Sequence, residues 1–171
     1  MALSKIPSAG FSGTEGITIA DQWRLDDHIN GNHAPITNVE RVDTAGQGTI
    51  GTAMSVSNGV FTFPSTGTYL VTFNSNWSRG FNDAIVNFVI KATTDGTNFV
   101  DVAYAFNNSG SFSGSYNTIE VKTLLNVNDT SLVKVRFDVA SAESGSSNHL
   151  IHGVTSYNST TFTFIRVGGS T

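Results

Sequence analysis

The stretch FTFPSTGTYLVTF, Phe61 to Phe73, decides the fold. Phe61 and Phe63 alternate with threonine, so both rings fall on one side of a short strand, and Pro64 ends that strand because it has no N–H to give a ladder. Gly67 turns the chain. Tyr69, Val71 and Phe73 then share one face of a second strand. Two aromatic-rich strands joined by a Pro-Ser-Thr-Gly corner belong to sheets packed on one another.

The same two-residue period recurs from Trp23 to the C-terminus, and no window keeps an apolar 3.6 period for three turns. Almost no helix is expected. In SLVKVRFDVA, Val133, Val135, Phe137 and Val139 share one face, while Lys134, Arg136 and Asp138 share the other. YNTIEVKTL turns Ile119, Val121 and Thr123 inward, and FVDVAYAF is expected to do the same with Val100, Val102, Tyr104 and Phe106. AIVNFVIKATTDGTNFV is a hairpin, because Asp95-Gly96 supplies the positive φ values of a tight connection, and Asn58-Gly59 and Asn30-Gly31 mark similar corners. Further strands are expected at residues 37–43, 50–57, 60–63, 69–78, 149–154 and 161–167. About ten short antiparallel strands in two packed sheets follow. Residues 1–22 hold three Gly and three Ser without a clear period and are expected to form an extended N-terminal arm, leaving 23–171 as the single domain.

Composition narrows the function. Charged residues are 13% of the 171-residue chain and the net charge is -4, with no basic cluster to neutralise a phosphate backbone, so nucleic acid is excluded as a partner. There is no cysteine, so stability comes from packing or assembly. No apolar run approaches the roughly 18 residues of a membrane helix, and the N-terminus lacks an apolar leader; the expectation is a soluble protein made in a cytoplasm, with no membrane partner.

The spacing Gly67, Tyr69, Val71, Phe73 resembles the Gly-x-Tyr-x-Phe-x-Phe/Tyr signature of the tumour necrosis factor and complement globular-head jelly rolls, with Val in place of the middle Phe. TNVERVD, GTIGTAMSVSNGVFTFP and TTFTFIRVGG fall where that family places its early strands, its sheet-crossing segment and its closing strand. The resemblance spans roughly residues 23–168, and its ordering is similar to that of small jelly-roll proteins of bacteriophage virions. It implies an all-β, antiparallel two-sheet jelly-roll sandwich, and a homotrimer packed about a threefold axis through aromatic and aliphatic side chains. Tyr69, Phe73, Trp77, Tyr157, Phe162 and Phe164 are candidates either for that interface or for the core.

Catalytic signals are missing. GQGTIG, Gly46 to Gly51, has dinucleotide-loop spacing but leads into the strand-like TAMSVS instead of a helix, so it reads as a turn. His149 and His152 lie three apart, which on a strand sends them to opposite faces, and His28 and His33 form a separate pair; a surface or interface role is expected for them rather than a metal site. Asp26 and Asp27 read as a turn and strand cap. No nucleophile elbow, zincin motif or phosphate loop is present, so no enzyme activity and no cofactor are expected.

Two roles remain. In the first, the protein is a structural virion component on the capsid surface, a decoration or cement protein anchored to the major capsid protein by its arm, with Ile6, Pro7, Phe11, Ile17 and Ile19 as the contact points. In the second, it is the receptor- or carbohydrate-binding tip of a tail or head fibre. Its loops would then engage a host-surface glycan through Phe81, Phe112 and Tyr116, with Trp77 nearby.

Overall fold

A computed structural model describes residues 16–78, 85–108, 115–141 and 148–171 of the chain. Twelve strands and no helix stand among the described residues. They are β1 (Ala20–Leu25), β2 (Ile29–Asn30), β3 (Val39–Arg41), β4 (Ser55–Ser57), β5 (Val60–Thr62), β6 (Gly67–Ser78), β7 (Ile85–Thr93), β8 (Val100–Asn108), β9 (Tyr116–Val127), β10 (Lys134–Ser141), β11 (Leu150–Ile151) and β12 (Thr161–Gly168). The arrangement is an all-β, antiparallel jelly-roll sandwich.

One sheet runs β3-β1-β12-β6-β9, with β11 and β2 continuing beyond β12 along the same edge of β6. The other runs β4-β5-β10-β7-β8. The aromatic-rich stretch lies at their junction, since β5 belongs to the second sheet and β6 to the first. Gly67 makes the passage possible. Its φ is +152°, and a Cβ there would collide with the Arg166 side chain and the Gly168 carbonyl, so no other residue fits without displacing β12.

The alternation predicted from sequence fills the space between the sheets. Phe137 touches Phe61, Phe73, Phe162 and Phe164 at centroid distances of 4.6 to 5.9 Å, mostly edge-on or tilted. Tyr69, Phe73, Trp77, Phe162 and Phe164 are all buried in this core. They are therefore core residues and not interface candidates; Tyr157 alone of that group is exposed.

Two expectations need correction. The sandwich begins before Trp23: Ile19 packs in the core and β1 starts at Ala20, so residues 19–22 are not arm. Asp21 disguises this, because a carboxylate breaks the apolar pattern of Ile19 and Trp23 although it lies buried on the same face. Ile17 is exposed, and Ile6, Pro7 and Phe11 lie outside the described residues.

The second correction concerns β8. Val100, Val102, Tyr104 and Phe106 are 61, 37, 52 and 65% exposed, while Ala103 and Ala105 face the core. A bulge is the cause. Asp101 pairs with Lys91 and Ala103 with Ile90, so Val102 has no partner and the period breaks at that residue.

Candidate functional site

Two surface features carry chemistry. The first is a pocket of about 600 Å³ on the outward face of the larger sheet, at the C-terminal end of β6. Strand β6 sends Ser75 and Trp77 into the core and Asn76 outward, and β9 pairs antiparallel beside it, placing Tyr116 and Thr118 on the same outward face. Thr118 Oγ1 donates to Asn76 Oδ1 at 2.7 Å. The remaining wall comes from His28, His152, Tyr157 and Ser159.

The histidines that sequence spacing separates are joined by the fold. His28 and His152 meet edge to face at 5.1 Å, because Gly153 packs against the Asp27 carbonyl so closely that a Cβ would clash with it. Gly153 N–H donates to His28 Nδ1 at 3.0 Å, which places the His28 proton on Nε2. His152 Nε2 lies 3.0 Å from Ser78 Oγ. Burial, with His28 as a further contribution, holds the His152 pKa below the usual imidazole value. His149, in contrast, is buried, as opposite faces require. No group of three metal-ligating side chains stands among the described residues.

Tyr116 is 79% exposed and its ring leans on His152 at 5.3 Å, leaving its other face open. Tyr157, which also lines the pocket, is 63% exposed. Trp77 cannot stack on a ligand, being fully buried, and Phe81 and Phe112 lie outside the described residues. Tyr116 is thus the one predicted loop contact that the described structure places at a pocket.

The second feature is apolar. Tyr104 and Phe106 face outward from β8 with their centroids 6.4 Å apart. Val100 and Val102 line a smaller groove at the open seam between the sheets, together with Leu124 and Leu125 of β9. On the outward face of the larger sheet Leu124 is paired with Leu70, and Leu70 with Ile165, giving a cross-strand apolar row. Leu124 is 62% exposed.

No protein-family model and no curated protein matches the chain. Solved structures do. The Eiger TNF of S. frugiperda superposes with a TM-score of 0.63 at 10% identity, covering 91% of this chain and 96% of that one. Murine APRIL at pH 8.5 superposes with a TM-score of 0.58 at 10% identity, covering 87% of this chain and 98% of that one. The fold is accordingly a TNF-like jelly roll, and at such identity the likeness is one of fold alone.

Proposed function

We propose that the protein is a non-enzymatic virion structural protein. It is a homotrimeric jelly roll that decorates a bacteriophage capsid and is anchored to the major capsid protein lattice by its N-terminal segment. The observation that carries the assembly part is a pair of apolar surfaces, the exposed Tyr104 and Phe106 edge and the row in which exposed Leu124 stands beside half-buried Leu70 and Ile165. Exposed apolar surface of this kind marks an interface, and the chain's low charge leaves little to repel a second copy. The two surfaces lie on different sheets. An edge of one copy seated on the sheet face of the next is a heterologous contact, which forms a trimer where its rotation is a third of a turn.

The capsid part of the reading rests on the likeness in strand ordering to small virion jelly rolls and on a Gly- and Ser-rich N-terminal segment ahead of β1. A trimer gripping neighbouring capsid subunits through its three N-terminal segments adds binding energy to the assembled shell and none to free subunits. The test is co-sedimentation with capsids of the parent virus stripped of accessory proteins, comparing the full chain with one starting at Gly16, which keeps every described residue. Saturable binding by the full chain, lost on removal of residues 1–15, supports the reading; equal binding by both, or binding by neither, ends it.

A further inference from the structure

We propose that the pocket lined by Tyr116 and Tyr157 is a binding site for a neutral sugar, one or two pyranose rings long. This goes beyond the capsid role and does not depend on it.

The chemistry of the lining selects the ligand class. Apart from the two imidazoles, no side chain that carries charge near neutral pH lines the pocket, so a phosphate, a carboxylate or an ammonium group would find no counter-charge. A metal ion is poorly served as well: His28 Nδ1 is committed to Gly153 and His152 Nε2 lies against Ser78. What remains is a mixed set of uncharged donors and acceptors. Asn76 keeps one amide hydrogen beyond its long 3.5 Å contact with Ser159, His28 offers Nε2–H, Ser159 offers a hydroxyl, and Thr118 Oγ1, whose hydrogen goes to Asn76, can accept. Such a set matches vicinal hydroxyl groups, each of which both donates and accepts.

The aromatic rings supply the other half of sugar recognition. A pyranose has an apolar C–H face that packs on a flat ring, and tyrosine presents such a ring at low cost in side-chain entropy. Tyr116 is backed by His152, which in turn is backed by His28, so its ring is braced from behind while its open face meets solvent. A volume of about 600 Å³ accommodates a mono- or disaccharide and falls short of a long oligosaccharide.

The test is a backbone-amide shift titration of the full-length protein with the methyl glycosides of glucose, galactose, mannose and N-acetylglucosamine, with N-acetylneuraminic acid and glucuronate as charged comparators. The expected result is saturable shifts at residues 116–118 and 152–159 with at least one neutral sugar. Tyr116→Ala and Tyr157→Ala should each weaken that binding about tenfold or more. Both side chains are exposed, so the variant spectra should otherwise overlay that of the parent. Three results overturn the proposal: no saturable shift with any neutral sugar, binding confined to the charged comparators, or binding that survives both substitutions.

Discussion

Asp21 Oδ2 accepts the backbone N–H of Met54 at 2.8 Å across 33 residues of chain, in the buried interior of the sandwich. The same oxygen accepts the indole N–H of Trp23 at 3.0 Å, while Oδ1 takes the Thr49 hydroxyl at 3.1 Å and lies 3.4 Å from Arg41 Nε. Arg41 in turn lies over the Trp23 ring at 4.6 Å and donates to the Met54 carbonyl at 2.6 Å. One carboxylate thus ties β1, β3 and the segment that crosses between the sheets. Asp21→Ala removes the shared acceptor and leaves the buried Met54 N–H and the Trp23 indole N–H without a partner, an expected cost of about 3 kcal/mol. Chemical denaturation is the measurement: the midpoint should fall with the slope unchanged, and Asp21→Asn should fall less.

The contrast between Phe137 and Phe106 separates core from interface. Phe137 is 1% exposed among four other phenylalanines, so Phe137→Ala should cost about 3–5 kcal/mol at any protein concentration. Phe106 is 65% exposed and has little to lose in an isolated chain. If β8 packs on a second copy, the parent's melting temperature rises with protein concentration, and Phe106→Ser abolishes that dependence and converts a trimer to a monomer by light scattering. A concentration-independent parent melt, or a trimer that tolerates Phe106→Ser, would remove β8 from the interface.

Much of this fold is legible in the chain, for physical reasons that also mark where reading stops. Val133, Val135, Phe137 and Val139 show their face because each alternates with a polar residue and no bulge interrupts them. Val100, Val102, Tyr104 and Phe106 alternate just as well, yet a single unpaired residue breaks their register, and a bulge of that kind leaves no signature in local sequence. Asp21 misleads in the opposite sense: its burial depends on partners up to 33 residues away. The pocket is the least legible part, because it joins His28 to His152 and Asn76 to Thr118 through long-range pairing that spacing cannot reveal.

The corner that decides the fold also sets a stringent test. Gly67→Ala places a methyl group against the Arg166 side chain and the Gly168 carbonyl at a backbone φ of +152°. Arg166 also donates from Nε to the Thr66 carbonyl at 3.0 Å, so it cannot simply swing away without losing that bond. The expected loss is about 2 kcal/mol or more, combining backbone strain with the displaced hydrogen bond. Thermal melting should show it, and a melting temperature equal to the parent's would mean the corner relaxes freely.

His152 makes stability depend on pH in a direction that can be worked out. Its pKa in the fold is depressed, chiefly by burial and then by His28, so between that value and the ordinary 6.5 the unfolded chain binds the proton that the folded chain refuses. Stability from this residue is therefore fully present above 6.5 and declines as pH falls below it. His152→Gln removes the titrating group while keeping a polar side chain near Ser78, so it should flatten the loss of stability on going from neutral to mildly acidic pH. The measurement is the denaturation midpoint of parent and variant across that range. Parallel curves would show that His152 takes up its proton in the folded state as easily as in the unfolded one, and that its contact with His28 costs nothing on protonation.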